Sequence, residues 1–481
     1  MVSSIQSLKG LLLVLNAVFP TAQASLTREP RELGRRDLMG TSNVFLGDRT
    51  GAPKNMASGI LLGLPLNGSQ IPDHFLSDVG FNNMRSGGSQ LGEPRRGWTR
   101  GYEEFLGRYE SLKSDYEVTR RHGGGFQIMI HDMWGIDSYG SPEEVPYPGD
   151  NGSYEDFDNF LDTFFELLIQ DDMVENVRWD IWNEPDNGEF GNRGLDRYLE
   201  YYVHAHQKIV RDFPGGKTTG PSFGRLPNFA GDMINWFTEW ASRVAENDAV
   251  PDQVSLHFLY GDGDLTTSIN QFVGILSDAG INYNGTWNIQ EYGNPDQQIP
   301  STAVWNIAQL ERHNAPGLRA NWRGGLELHD LLANLLGKEG SGDQYDINDV
   351  DYWPAREYPV YVYYHQEMTG ERVRTEMTED TLADSFAVID DSARRVRILA
   401  GSRPQTGTWN IQVNDLDTVG LAESGNIMVR TIKFNTAPGI YDRVADPEDL
   451  GTSTVAYQQN NVILEVRQTD PAEAWAFELE F

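Results

Sequence analysis

Two glutamates stand where predicted buried strands end, an arrangement that can cleave a glycosidic bond. Glu184 lies in the segment WDIWNEP over residues 179–185, whose final proline prevents the strand from continuing normally. Glu291 ends a second apolar run, Trp287 to Glu291, three predicted strands later. Glycosidic cleavage needs one carboxyl that donates a proton to the leaving oxygen and one carboxylate that attacks the anomeric carbon. Burial and mutual repulsion help to separate the pKa values of two such groups.

Repeated βα units are the elements that must position these glutamates. Short apolar, β-rich runs alternate with amphipathic stretches such as Tyr154 to Ile169 and Leu195 to Val210. Eight such strands predict an α/β fold, a (β/α)8 TIM barrel over residues 58–370, with both glutamates at its catalytic face. The predicted strands are Gly59 to Leu66, Phe81 to Ser86, Phe126 to His131, Val177 to Trp182, Thr218 to Ser222, Val254 to Phe258, Trp287 to Glu291 and Leu318 to Trp322.

A different pattern begins near residue 371 and predicts a second domain. Apolar residues alternate strictly there, which is typical of half-buried antiparallel strands. Turn-rich segments separate these runs, so residues 371–481 are predicted to form a C-terminal β-sandwich that packs on the barrel. Residues 26–57 can belong to either domain. The alternating sets are Trp409, Ile411, Val413; Met428, Ile432, Phe434; Val462, Leu464, Val466; and Trp475, Phe477, Leu479, Phe481.

The N-terminus resembles an export signal. A lysine precedes the apolar stretch Leu11 to Phe19, and small residues follow up to Ala24, so residues 1–24 are predicted to be a signal peptide and the protein to be secreted. Residues 25–57 form an N-terminal segment that is either a propeptide ending near Arg35-Arg36 or a solvated arm. Export would make the sequons at Asn67, Asn151 and Asn284 candidate N-glycan sites.

Composition excludes several classes of partner and chemistry. A formal net charge of −33 disfavours binding to nucleic acid or to an anionic membrane surface. The chain has no cysteine, so neither disulfides nor thiolate catalysis contributes. His131-Asp132 and His329-Asp330 lack the further spaced ligands of a metal site. We therefore expect no metal and no cofactor, and an oligosaccharide or polysaccharide as the substrate.

Taken together, these motifs resemble the clan A glycoside hydrolases, most nearly family 39, over residues 58–370. NEP at residues 183–185 is similar to the acid/base signature after the fourth barrel strand, and Glu291 in QEYG is similar to the nucleophile after the seventh. The resemblance implies that Glu184 is the acid/base and Glu291 the nucleophile. It departs from the commonest family wording at RSGG (residues 85–88) and at SLHF (residues 255–258), which bears on the substrate more than on the mechanism.

The same resemblance implies further substrate-binding residues at predicted strand ends. Arg85 would hold the nucleophile ionised, and Asn183 would bond the sugar 2-hydroxyl. Tyr260 would orient Glu291. Trp134 and Trp322 offer faces that suit a sugar ring, although such aromatic residues also simply pack. The resemblance itself implies Arg85, His131, His257, Tyr260 and Trp322, and the chemistry of Asn183 and Trp134 adds these two to the predicted substrate-binding set.

The sequence thus predicts a secreted retaining glycoside hydrolase that cleaves cell-wall glycans by double displacement. Its carboxyl groups are expected about 5 to 5.5 Å apart. By resemblance we expect exo action like that of a β-xylosidase or an α-L-arabinosidase. An endo-acting clan A glycanase and a non-catalytic carbohydrate-binding wall protein remain alternatives.

Overall fold

A computed structural model describes residues 40–138, 144–229, 231–259 and 263–481 of the protein. The predicted signal peptide, the dibasic pair Arg35-Arg36 and Tyr260 lie outside the described residues. No helix within these ranges is long and apolar enough to cross a membrane. The strands form a closed eight-stranded barrel, a nine-stranded sheet and a short two-stranded ribbon.

Strands and helices are numbered along the chain. The strands are β1 (Thr41–Gly51), β2 (Gly59–Leu61), β3 (Asn83–Ser86), β4 (Gly125–Met129), β5 (Val177–Asp180), β6 (Thr218–Gly220), β7 (Gln253–Phe258), β8 (Trp287–Tyr292), β9 (Gly317–Arg319), β10 (Leu336–Gly337), β11 (Trp353–Pro354), β12 (Glu371–Glu376), β13 (Ala383–Asp390), β14 (Arg395–Ser402), β15 (Gly407–Asn414), β16 (Gly425–Phe434), β17 (Glu448–Tyr457), β18 (Val462–Gln468) and β19 (Ala474–Glu480). The helices are α1 (Asp73–Ser77), α2 (Tyr102–Arg121), α3 (Ile130–Trp134), α4 (Glu155–Gln170), α5 (Leu195–Asp212), α6 (Met233–Glu246), α7 (Leu265–Asp278), α8 (Pro300–Arg312) and α9 (Tyr358–Gln366).

The barrel consists of the parallel strands β2 to β9, which confirms the predicted fold class. It closes where β9 pairs with β2, with Leu318 opposite Gly59. Barrel strands are covered on both faces, and every residue of β7 is accordingly buried. Several strands end earlier than predicted because the chain turns into the loops of the barrel mouth.

Amide side chains fill the barrel beneath the mouth. Asn288 on β8 donates to Gln127 Oε1 on β4 at 2.9 Å and to the Thr219 hydroxyl on β6 at 3.2 Å. These buried groups satisfy one another, as polar atoms removed from water must. Outside the barrel, α4 buries the predicted phenylalanine face, including Phe157 and Phe160.

The nine-stranded sheet forms the second domain. Its order is β17-β16-β19-β14-β13-β12-β1-β15-β18, with β1 parallel to β15 and antiparallel to β12. The two edge strands β17 and β18 contact each other, so the sheet folds over a core of its own. The N-terminal stretch 41–51 therefore pairs with this domain. A register shift between Arg430 and Ile432 interrupts the alternation of β16 and leaves Met428 exposed.

Helix α8 joins the two domains and is almost wholly buried. It lies against β13, β14 and β19 of the sheet. Its polar residues are paired across the junction: Glu311 with Arg372 at 2.8 Å, and Arg312 with Asp384 at 2.6 Å. Breaking such buried pairs is costly, which fixes the position of the sheet on the barrel.

Candidate active site

Four polar side chains converge at the C-terminal end of the barrel strands, where the active sites of barrel enzymes lie. Arg85 is on β3, His257 on β7 and Glu291 on β8, whereas Glu184 follows the end of β5. Arg85 and His257 are fully buried, and Glu184 and Glu291 are each 8% exposed. Only the two carboxylates of this cluster therefore reach solvent.

The Arg85 guanidinium joins three acceptors. Its Nη1 donates to Glu291 Oε1 at 2.8 Å, and its Nη2 donates to Asn183 Oδ1 at 2.5 Å. Nε and Nη2 also donate to Asp180 Oδ2, at 2.8 and 2.5 Å. The other Asp180 oxygen accepts the Ser222 hydroxyl at 2.6 Å. Charge-assisted bonds are strong in a dry interior, so Arg85 fixes Glu291 and Asn183 relative to each other.

Glu184 is held on three sides. Its Oε1 lies 2.9 Å from His257 Nδ1, and its Oε2 accepts the Asn187 amide at 3.0 Å. Gly224 forms the third side, because a Cβ at that position would lie 2.7 Å from the Glu184 Cδ. The Glu184 backbone adopts a left-handed φ of 42°, which is uncommon for a residue other than glycine and concentrates at functional sites.

The two carboxylates are close neighbours. Glu184, His257 and Glu291 each place one oxygen or nitrogen within 4.8 Å of the others. Carboxylate and imidazole ligands can also hold a divalent cation. The Arg85 cation, however, already bonds the Glu291 carboxylate at 2.8 Å and would repel a second positive charge there. The arrangement therefore favours proton transfer and nucleophilic attack.

The environment separates the pKa values of this cluster. Burial raises the pKa of Glu291 above its ordinary value, although His257 and Arg85 oppose this and Glu184 adds to it. Burial is the largest single influence on Glu184 and acts to raise its pKa, but the hydrogen bonds to His257 and Asn187 and the charges of His257 and Arg85 together outweigh it, so the pKa falls. Burial acts to lower the pKa of His257, but Glu291 and Glu184 raise it overall. In the substrate-free site these shifts make Glu184 the more acidic carboxyl of the pair and favour the protonated form of His257.

Two further predicted residues lie beside this cluster. Asn183 is buried and, through Arg85, connected to Glu291. Trp322 is partly exposed, and its Nε1 donates at 2.7 Å to the carbonyl of Gly293, two positions after Glu291. The structure therefore brings Arg85, Asn183, Glu184, His257, Glu291 and Trp322 to one end of the barrel. His257, which is expected to contact substrate, is fully buried in this substrate-free structure and lies 2.9 Å from Glu184 Oε1.

Two predicted residues have the contacts of packing residues. His131 is 2% exposed, lies 3.1 Å from Asp132 and packs against the Trp182 and Phe190 rings. Trp134 is also 2% exposed; its Nε1 donates to a backbone carbonyl, and its ring packs edge-on against phenylalanines of α4. These contacts do not bring either residue into the carboxylate cluster.

Sequence reasoning missed three contributors: Asp180, Asn187 and Gly224. Asp180 could have been found from the sequence, because a charged residue within a predicted buried strand must have a partner. Asn187 lies three positions after Glu184, within reach of the same turn. Gly224 left no signal, since nothing in the sequence places it opposite Glu184.

No known family model matches this sequence, and no curated protein matches it. Solved structures do match its fold. N2152 from Neocallimastix frontalis is 17% identical, covering 92% of this chain and all of its own, with a TM-score of 0.71. The GH39 enzyme from Xanthomonas axonopodis pv. citri is 13% identical, covering 92% and 98%, with a TM-score of 0.53. AbfB, a family 51 α-L-arabinofuranosidase from Bifidobacterium longum, is 13% identical, covering 93% and 100%, with a TM-score of 0.55. The expected resemblance to clan A is confirmed as a likeness of fold.

Proposed function

We propose that the protein is a retaining glycoside hydrolase, with Glu291 as the nucleophile and Glu184 as the acid/base. The observation that carries this proposal is the pair of buried carboxylates at the barrel mouth, with an oxygen of each within 4.8 Å of the other. Retaining enzymes need carboxyl groups about 5 to 5.5 Å apart, whereas inverting enzymes need about 6.5 to 9.5 Å to admit a water molecule. An approach of two carboxylate oxygens to within 4.8 Å leaves little room for a water molecule between the groups, which supports double displacement.

In the first step Glu291 attacks the anomeric carbon while Glu184 protonates the departing oxygen. Arg85 steadies the ionised Glu291 and holds the Asn183 oxygen, and the Asn183 amide would bond the sugar 2-hydroxyl. In the second step Glu184 takes a proton from water, which attacks the anomeric carbon and releases Glu291.

The acid step requires a proton on Glu184, whose pKa is lowered in the empty site. His257 Nδ1 is the nearest source, at 2.9 Å from Glu184 Oε1. A sugar that fills the mouth excludes water, and a drier site favours the neutral histidine and carboxylic acid over the ion pair. We therefore assign His257 as the group that hands its proton to Glu184 when substrate binds.

The proposed substrate is a neutral cell-wall glycan cleaved from its end, with β-xylosides and α-L-arabinosides as the first candidates. The resemblance to family 39 and the shared fold with a family 51 α-L-arabinofuranosidase support this choice. The formal charge of −33 disfavours polyanionic substrates. An endo-acting glycanase would instead release internal fragments from a polymer.

The decisive assay compares wild type with Glu291→Gln and Glu184→Gln on aryl β-xylosides, α-L-arabinosides, β-glucosides and β-galactosides, and on wall oligosaccharides. Each variant removes a charge and keeps the side-chain shape. Glu189→Gln is the matched control, because Glu189 is exposed in the loop that follows Glu184. We expect turnover by wild type and by the control, and at least about a thousandfold loss in the two variants. Glycan binding without turnover would point to the carbohydrate-binding alternative.

We also propose that the protein is secreted and N-glycosylated. The signal-like residues 1–24 support export. The side chains of Asn67, Asn151 and Asn284 belong to exposed residues, as glycan acceptors must. Expression in eukaryotic cells should yield protein in the medium that begins after Ala24 or later and loses mass on treatment with an endoglycosidase. Retention inside the cells, or an unchanged mass, would reject the respective proposal.

A further inference from the structure

We propose that the sheet domain holds the loop of the substrate-binding mouth in place, with Tyr441 as the positioning residue. Tyr441 lies between β16 and β17 and contacts the long loop of residues 320–357 that connects β9 to α9. That loop carries Trp322, whose indole donates to the carbonyl of Gly293, two positions after Glu291. The inference deepens the proposed function and rests on it, because it assigns a role in binding the sugar.

The loop contains a backbone that cannot hold its shape alone. Leu331, Leu332, Ala333 and Asn334 have φ values of 59°, 41°, 51° and 68° in succession. Residues other than glycine disfavour this left-handed conformation, so four in a row persist only where tertiary contacts fix them. One such contact is made by the barrel, where Leu332 N donates to the Gly63 carbonyl at 2.8 Å.

Tyr441 supplies the contact from the sheet domain. Its hydroxyl donates to Asn334 Oδ1 at 2.8 Å, and the residue is only 4% exposed. Its backbone carbonyl accepts a hydrogen bond from Trp353 Nε1 at 2.8 Å. The Arg323 guanidinium, next to Trp322, lies 5.8 Å from the centre of the Tyr441 ring. Tyr441 therefore contacts the loop at three separate points.

The backbone around Tyr441 is docked as well. Arg443 forms a β-bridge with Ala355, and Val444 N donates to the Pro354 carbonyl at 3.1 Å. The Arg443 guanidinium also lies 5.1 Å from the centre of the Trp353 ring. These contacts fix the position from which the Tyr441 hydroxyl reaches Asn334.

Asn334 connects Tyr441 to residues near the catalytic cluster through further hydrogen bonds. Its Nδ2 donates to Gln298 Oε1 at 3.3 Å and to Asn321 Oδ1 at 3.4 Å. Gln298 in turn donates to the carbonyls of Ala320 at 2.7 Å and Gly293 at 3.3 Å. Gly293 O also accepts the Trp322 indole. A chain of buried hydrogen bonds thus runs from Tyr441 to Ala320 and Asn321, just before Trp322, and to Gly293, two positions after Glu291.

Removal of the Tyr441 hydroxyl should therefore make the Trp322 side chain less firmly positioned, while Glu184 and Glu291 keep their own contacts. Asn334 Oδ1 would lose its donor in a buried site, where an unpaired acceptor is unfavourable. In the proposed function, sugar binding depends on the Trp322 ring, whereas bond cleavage depends on Glu184 and Glu291. The KM should rise and kcat should change little.

The experiment compares full-length wild type with Tyr441→Phe and a matched control, Tyr457→Phe. Tyr457 is a buried tyrosine of the same domain, on β17, and belongs to the core of the sheet. On the best aryl glycoside we expect Tyr441→Phe to raise KM by roughly three- to tenfold, the equivalent of one hydrogen bond, with kcat within about twofold. Tyr457→Phe should match wild type. Equal KM values in all three proteins would overturn the inference while leaving the hydrolase assignment intact.

A second measurement does not depend on turnover. Amide hydrogen exchange across residues 320–337 should be faster in Tyr441→Phe than in wild type, and unchanged in Tyr457→Phe. Unaltered exchange in Tyr441→Phe would reject the positioning role even if no glycoside proved to be a substrate. If Tyr441→Phe folds poorly, Trp353→Phe, which loses the bond to the Tyr441 carbonyl, should raise KM and exchange in the same direction.

Discussion

Asp180→Asn provides the sharpest test of how the site controls its nucleophile. Asp180 is fully buried and shares the Arg85 guanidinium with Glu291. An asparagine there keeps the hydrogen bonds, since its oxygen can accept from Arg85 and its amide can donate to the Ser222 hydroxyl. The substitution therefore removes one negative charge and little else. The Arg85 charge then acts on Glu291 without the opposing Asp180 carboxylate.

The expected size of the effect follows from Coulomb's law. Two carboxylates on opposite edges of one guanidinium are on the order of 6 to 7 Å apart and repel by about 2.5 kcal/mol at an effective dielectric constant of 20. That repulsion corresponds to just under two pKa units. Burial holds the pKa of Glu291 above its ordinary value. Loss of the Asp180 charge favours the ionised form of Glu291, so its pKa should fall by about one to two units.

The assay is the pH dependence of kcat/KM together with thermal unfolding. The acid limb reports ionisation of the nucleophile and should move to lower pH by about one to two units in Asp180→Asn. The variant should also be less stable by about 3 kcal/mol, because Arg85 loses a buried ionic partner. Asp384→Asn is the matched control. Asp384 is equally buried and also pairs with an arginine, Arg312, but at the domain junction and not in the catalytic cluster. It should lose stability and keep the acid limb of wild type. An unmoved limb in Asp180→Asn would refute the reasoning.

Two further substitutions test the acid/base and the burial of charge. Gly224→Ala should reduce kcat by about a hundredfold, because the added methyl group displaces the Glu184 carboxyl, while the melting temperature is unchanged. Gly188→Ala is the control and should be neutral, because its added carbon meets open space. Equal losses of kcat in both variants would contradict the role of Gly224 in positioning Glu184. Burial raises the pKa of Asp115 from 3.8 to about 8, so its contribution to folding stability is complete below about pH 4 and is lost as pH rises toward 8. In urea unfolding, the free energy of unfolding of Asp115→Asn relative to wild type should therefore increase by about 1.4 kcal/mol for each pH unit between those limits. A difference that does not change with pH would rule out this account.

The barrel strands could be predicted because each is a short apolar run between helical segments. Strand β1 could not be assigned from its own residues, since its partners β12 and β15 lie more than 300 positions away and only the folded sheet brings them together. The alternation rule also mispositioned Met428, because the register shift in β16 turns that side chain to solvent. Local periodicity shows which residues form strands and leaves long-range pairing undetermined.

The candidate site shows the same division. Glu184 and Glu291 were predictable because each ends an apolar run and one lies in a short motif. The direction of His257 was not, since a register shift between Leu256 and His257 in the pairing of β7 with β8 sets His257 opposite Glu291. The surroundings of Trp134 were equally hidden, because they depend on how α4 packs against the end of α3.

The most direct test of the account is the configuration of the first sugar released, followed by proton NMR during the earliest turnovers of wild type on its best aryl glycoside. Double displacement through Glu291 predicts that the product first appears with the anomeric configuration of the substrate and only later equilibrates by mutarotation. A product that first appears with the opposite configuration would contradict the assignment of Glu291 as a nucleophile.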